Sequence, residues 1–214
     1  MTGLSEVGLH VVVACRNECF VDRVVSELTE DGLAVSGHQL DVNDPASVAR
    51  AFADTAKRHG RLDVLANNAG IAIDRGQIAA SPDFERVRSA LDTNLLGAWR
   101  CCAAAVTEMK KNGYGRIVNI SSHLASLATM DDTNVSYRVS KAALNALTRV
   151  LAAELAGTGI LVNACSPGRM NTRMAYGETE RTPEEGADTP VWLATLPPDG
   201  PTGGLFADRT PIDW

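Results

Sequence analysis

Short, fully apolar runs alternate along the chain with longer amphipathic stretches. Residues 10–15 (HVVVAC) are apolar and β-branched after the histidine, as expected for a strand buried on both faces. Behind them Phe20, Val21, Val24, Val25 and Leu28 recur at helical spacing. A strand in LAVSGHQLDV follows, then a helix in DPASVARAFADTAKRHG with Asp44 as its N-cap and Pro45 in its first turn. RLDVLANNAG predicts a third strand, and one long helix is expected over about 84–111. GRIVNISS and GILVNACSPG predict two more strands, joined by a helix in NVSYRVSKAALNALTRVLAAELAG. A shorter helix near TPEEGADTPVWLATL precedes a last strand, GGLFAD. Strands and helices alternating at these lengths imply βαβ units and an α/β fold with a doubly wound parallel sheet. Ligands on such sheets bind beyond the carboxyl ends of the strands, so the candidate functional residues are those at the strand ends.

Size and composition fit this pattern. The 214 residues suit a single domain over 1–214, without internal repeats. Hydrophobic residues make up 45% and charged residues 21%, a globular balance. The net charge of -6 and the lack of a basic stripe argue against nucleic acid and anionic membrane as partners. No apolar run reaches the roughly 20 residues of a membrane helix, and no basic-then-apolar leader opens the chain, so a soluble cytoplasmic protein is expected. Five cysteines without C-x-x-C spacing read as free thiols, Cys101 and Cys102 on a small-residue packing face. The four scattered histidines offer no metal site.

Tyr137 and Lys141 stand four apart on a helical segment, which stacks them on one face. A phenol ionises near pH 10; a positive charge beside it favours the phenolate. Such a phenol can give a proton to a carbonyl oxygen, or take one from an alcohol, as hydride moves at carbon. The strand before it ends in Ser121 and Ser122, either of which could hydrogen-bond that oxygen. A neighbouring strand runs into Asn67-Asn68-Ala69-Gly70, where Gly70 permits close backbone approach, and another into Ser166-Pro167-Gly168. His123 follows the serines, but no G-x-S-x-G elbow accompanies it, so a hydrolase built on Ser122 has little support.

In this order and spacing the four motifs resemble the series of the short-chain dehydrogenase/reductases, and the tail resembles the carbonyl-reductase-like branch. The resemblance implies a Rossmann-like fold and a nicotinamide cofactor. It implies Tyr137 as general acid/base, Lys141 as the group that lowers its pKa and holds the nicotinamide ribose, and Ser122, in preference to Ser121, as the substrate-oxygen donor. Asn94 matches the asparagine that bends a helix and holds a proton-relay water. Asp41, Val42 and Asn68 match residues lining the adenine, and Ala69 and Gly70 of the same motif are cofactor-binding positions; Pro167, Gly168 and Thr172 match the segment covering the nicotinamide. The first strand ends in Cys15-Arg16-Asn17, with no acid at the ribose-binding position, and Arg16 suits a 2′-phosphate. NADP(H) is therefore expected in preference to NAD(H), with a small carbonyl or alcohol as substrate; homo-oligomerisation is left open.

The resemblance also exposes a departure. Family members open with a strand, a T-G-x-x-x-G-x-G loop and a helix that receives the pyrophosphate. Here the chain starts MTGLSEVGLHVVV, in which LSEVG resembles only the end of that helix. By this comparison about 25–30 residues of the first βα unit are missing. Two consequences are expected. Strand 10–15 should pair directly with strand 62–66, closing a six-stranded sheet, because unpaired buried edges are expensive. Losing even two charge-assisted phosphate contacts should weaken the dinucleotide by about 3–6 kcal/mol, roughly 10²–10⁴-fold. The chemistry points to an NADPH-dependent carbonyl reductase; the alternative is a non-catalytic relative that kept the scaffold but not tight cofactor binding.

Overall fold

A computed structural model describes residues 2–170 and 181–214. A short helix α1 (Thr2–Glu6) leads into β1 (Val11–Cys15), α2 (Glu18–Glu30), β2 (Val35–Gln39), α3 (Pro45–His59) and β3 (Val64–Asn67). Helices α4 (Phe84–Leu91) and α5 (Ala98–Asn112) precede β4 (Gly115–Ile120), α6 (Val135–Glu154), β5 (Ile160–Cys165), α7 (Pro183–Ala194), β6 (Leu205–Ala207) and β7 (Thr210–Pro211). Local chemistry sets several boundaries. The Asp44 carboxylate accepts the Ala46 N–H at the start of α3, and Gly60, at φ 75°, closes it in the left-handed conformation. Thr182 and Glu185 form a reciprocal capping box on α7.

The expected 84–111 helix is interrupted. Asp92–Gly97 forms a π-helical stretch between α4 and α5. Such wide turns mark strained places, frequently functional ones. Gly97 is required there, because a Cβ would stand 2.7 Å from Val42 Cγ2.

β3, β4, β5 and β6 pair in parallel in that order, and β7 adds an antiparallel edge to β6. One face of this sheet packs Ile117 and Val162 against Cys102, Ala105 and Met109 of α5 and Leu144, Leu147 and Leu151 of α6. The other packs Val118, Leu161 and Cys165 against Leu193 of α7, with Leu4 of α1 at its margin. Burial on both sides explains the uninterrupted apolar runs of β4 and β5. Register sets Asn67 opposite Asn119 and Ile120 opposite Cys165, so the segments after β3, β4 and β5 leave the sheet at one end.

The sheet does not close as expected. β1 pairs only with β2, in parallel, and this two-stranded sheet makes no ladder with the five-stranded one. The residues after β2 explain why the halves stay apart. Arg100 donates to the Val42 carbonyl at 3.2 Å, Asn43 donates to Thr93 Oγ1 at 3.0 Å, and Val42 fills the space over Gly97. These contacts hold the β1–β2 unit in place. Bringing β1 onto β3 would shift it by about a strand spacing, ~4.8 Å, and break them.

Candidate active site

The carboxyl ends of β4 and β5 and the first turns of α6 converge on Tyr137. Ser121 and Ser122, adjacent at the end of β4, point apart as extended residues must. Ser121 turns inward and donates to Asn145 Oδ1 at 2.6 Å. The Ser122 hydroxyl stands against the Tyr137 phenol and also accepts the Leu124 N–H at 3.2 Å. His123 is exposed; its backbone N–H donates to Ser166 Oγ at 3.0 Å, tying the end of β4 to that of β5.

Lys141 lies one turn beyond Tyr137 and is 4% exposed. Its ammonium donates to the Ile120 carbonyl at 2.7 Å and lies 5.9 Å from the centre of the Tyr137 ring. Burial pulls its pKa down from 10.5 to about 8, partly opposed by the neighbouring Cys165 thiol. The phenol does not follow the expectation drawn from the spacing. Burial pushes its pKa up and the Asp74 carboxylate adds to the rise, while the Ser122 hydrogen bond opposes it. Lys141 does not counter this rise, because with a pKa of about 8 it has lost its charge at the pH where a phenol above its usual 10 would ionise.

Asn94 lies fully buried in the π-helical stretch. Its amide nitrogen donates to the Ile71 carbonyl at 2.9 Å and to Ser140 Oγ at 2.9 Å, and its oxygen accepts the Ile71 N–H at 2.8 Å. Gly70 lies beside it; a Cβ there would come 3.4 Å from both Asn94 Oδ1 and Lys141 Nζ. The structure thus brings Gly70, Asn94, Ser122, Tyr137 and Lys141 together.

The other sequence-selected residues lie around this centre. Asn68 and Ala69 are exposed beyond β3. The Asp41 carboxylate accepts the Asn43 N–H at 2.9 Å and the Asp41 N–H donates to Ser47 Oγ at 3.0 Å, a compact turn that carries Val42 onto Gly97. Arg16 is exposed at the end of β1, and its carbonyl accepts from Gln39 Nε2 at 3.2 Å. Pro167 and Gly168 are half-buried after β5, Gly168 at φ 78° with the Arg181 guanidinium over it. Thr172 lies outside the described residues.

Comparison with known proteins decides what this constellation belongs to. A family model described as enoyl-(acyl carrier protein) reductase matches residues 2–190. Mouse carbonyl reductase [NADPH] 1 is 34% identical over 250 aligned residues, which cover 95% of this chain and 88% of the relative. The chain belongs to the short-chain dehydrogenase/reductase family. Among solved structures, NADPH-bound carbonyl reductase from chicken fatty liver superposes with a TM-score of 0.84 at 26% identity, covering 95% of this chain and 87% of that one. Actinorhodin polyketide ketoreductase with NADPH gives 0.85 at 29% identity, with the same coverage of both chains.

As a short-chain dehydrogenase/reductase the chain is an oxidoreductase of the carbonyl-reductase-like branch. Reading the sequence missed two residues of its site. Ser140 links the Asn94 amide to the helix by donating to the Tyr137 carbonyl at 2.8 Å. Asp74 is 1% exposed and accepts the Tyr137 N–H at 2.9 Å. A lone carboxylate in the apolar run Ile71–Asp74 was the available signal. Cys101 and Cys102, 2% and 0% exposed, are packing residues; burial raises their pKa values to about 11 and about 12.

Proposed function

We propose that this short-chain dehydrogenase/reductase is an NADPH-dependent reductase of ketones or aldehydes on small organic molecules, with Tyr137 as general acid/base. The observation carrying this reading is a half-buried phenol, its proton retained at neutral pH, beside the Ser122 hydroxyl and one helical turn from the Lys141 ammonium. The carbonyl reductases and ketoreductase it resembles carry NADPH in their names or titles, which supports the choice of cofactor.

The residues present fit the two ends of such a dinucleotide. At the nicotinamide end Lys141 has spent one N–H on Ile120, leaving two donors for ribose hydroxyls, and Gly70 leaves room for close approach. At the adenine end the exposed Arg16 guanidinium offers a charged fork for a 2′-phosphate, with Asp41, Val42, Asn68 and Ala69 nearby in the family pattern. Pro167, Gly168 and Thr172 would cover the nicotinamide. When bound, the dinucleotide supplies the hydride. The chain's own residues do the rest. Ser122 and Tyr137 donate hydrogen bonds to the carbonyl oxygen, and Tyr137 passes its proton to that oxygen as negative charge gathers there. Asn94 holds the backbone at Ile71 beside Lys141, where a relay water would refill the phenol's proton.

Titration with NADPH, followed by nicotinamide fluorescence, tests the reading. Saturation in the micromolar range, with ketone reduction lost in Tyr137→Phe, is expected. The split between the two sheets favours a second reading, a relative that binds cofactor too weakly for turnover. Absence of binding up to millimolar NADPH would establish that one instead.

A further inference from the structure

Helix α6 carries both Tyr137 and Lys141, yet its own N-terminal residue does not cap it. Asn134 is left-handed, at φ 48°, and its side chain bonds to none of the helix's free N–H groups. The donor left open on the third residue, Tyr137 N–H, is met from another part of the chain by Asp74 Oδ2 at 2.9 Å. The other carboxylate oxygen, Oδ1, is buried without a partner among the described residues. A buried acceptor left unsatisfied is unfavourable, and a group placed only to stabilise a helix end would normally be solvated or fully bonded.

The segment carrying Asp74 is fastened at both ends to the same machinery. Its start is gripped by Asn94 at both the N–H and the carbonyl of Ile71. Its far end meets α6 again where Ser136 Oγ donates to Gln77 Oε1 at 3.1 Å. Asp74 thus sits where the segment following β3 joins the turn that carries the phenol. We propose that Asp74 is a positioning residue for Tyr137, holding the first turn of α6 by its carboxylate and setting a negative charge beside the phenol. The proposal rests on Tyr137 being the proton donor.

Arg75 follows Asp74 directly in the chain, and further charged groups stand on the elements packed around the phenol. Lys141 on α6 is directed at Ile120, and Arg138 on α6 pairs with Asp131. Arg86 on α4 pairs with Asp83 and reaches the Ile73 carbonyl, while His123 stands exposed beyond Ser122. Among the described residues Asp74 is the carboxylate whose charge acts on the phenol, and it acts to keep the proton on it.

Asp74→Asn retains an acceptor for the Tyr137 N–H and removes the charge; Asp74→Ser is a second neutral cap should the amide variant fold poorly. Phenolate absorbance of each is followed against pH, with Tyr137→Phe subtracted to isolate this tyrosine from the other two. Both variants should ionise Tyr137 at lower pH than the parent protein, and the alkaline limb of the reduction rate should move the same way. An unchanged Tyr137 titration in a folded variant would overturn the proposal. Since phenolate absorbance needs neither cofactor nor turnover, the assignment of Tyr137 as acid fails separately, through undiminished reduction by Tyr137→Phe.

Discussion

The two halves of this molecule are packed to different standards. β4 and β5 have strands on both sides and helices on both faces; apart from Ile120, every residue in them is buried. β1 and β3 each have a strand on one side only among the described residues, and Ala14 and Ala66, within these two short strands, are exposed. Unpaired N–H and C=O groups on such an edge must be satisfied by water. Ser122, Tyr137 and Lys141 all hang from the well-packed half, whereas Arg16, Asp41 and Val42 belong to the half held by loop and helix contacts. If Tyr137 handles the proton and Arg16 selects the cofactor, as proposed, the two tasks are anchored independently, and it should be possible to damage one without the other.

The largest effect expected from this separation is at Tyr137. Replacing it by Phe removes the proposed acid while keeping the aromatic ring. Reduction should fall by about 10²–10⁴-fold, the range a positioned acid supplies. NADPH affinity and the thermal midpoint should barely move. Steady-state rates beside a fluorescence titration check this, and a parallel collapse of affinity would mean the halves are coupled after all.

Lys141 sharpens the same contrast because it is an expense of the rigid half. With its pKa lowered from 10.5 to about 8, the unfolded chain keeps a proton between those values that the folded chain has released. Stability attributable to this group is thus lowest below about pH 8 and rises as pH climbs toward 10.5. The displacement corresponds to about 3 kcal/mol, from which Lys141→Met must forfeit the hydrogen bond to Ile120, worth ~1 kcal/mol. The variant should be inactive yet about 2 kcal/mol more stable at pH 7, with the gain shrinking across the alkaline window. Urea unfolding at pH 7 and pH 10 measures the difference.

Much of this was readable from residue pattern alone, and the exceptions share a cause. β4 and β5 were legible because burial on both faces leaves apolar runs without interruption, and the start of α3 was legible because Asp44 and Pro45 act locally. Three of the four motifs were legible because each follows its own strand, and Tyr137 with Lys141 because a four-residue spacing on a helix is local. Strand pairing is a different kind of fact. Residues 10–15 read equally well as a strand whichever neighbour they take, and the contacts that keep β1 from β3 run from Val42 and Asn43 to residues fifty or more positions on. Asp74 was overlooked for the same reason, since what makes it notable is Tyr137, 63 residues away. The direction of the phenol's pKa also depended on burial, which a four-residue spacing does not report.

Arg16 tests the looser half directly. It is exposed, so removing it should leave folding intact. If its fork grips a 2′-phosphate, Arg16→Ala loses charge-assisted hydrogen bonds worth about 1.5–3 kcal/mol. NADPH should then bind roughly 10–100-fold more weakly, with NADH unaffected. Equal losses for both cofactors would assign Arg16 to something other than the phosphate.

The smallest effect lies in the contacts that keep the halves in place. Asn43 Nδ2 donates to Thr93 Oγ1, but Asn43 Oδ1 is buried with no partner. Asn43→Ala loses about 1 kcal/mol from the first and recovers part of it by removing the second, so the global midpoint should fall only slightly. The local consequence should be larger than the global one. Amides of β1 and β2 depend on that contact for their position, whereas those of β4 and β5 are held by their own neighbours on every side. Hydrogen exchange should therefore quicken in β1–β2 and stay unchanged in β4–β5. Uniform acceleration across both sheets would show that the molecule opens as one unit, and that the two standards of packing do not translate into two levels of stability.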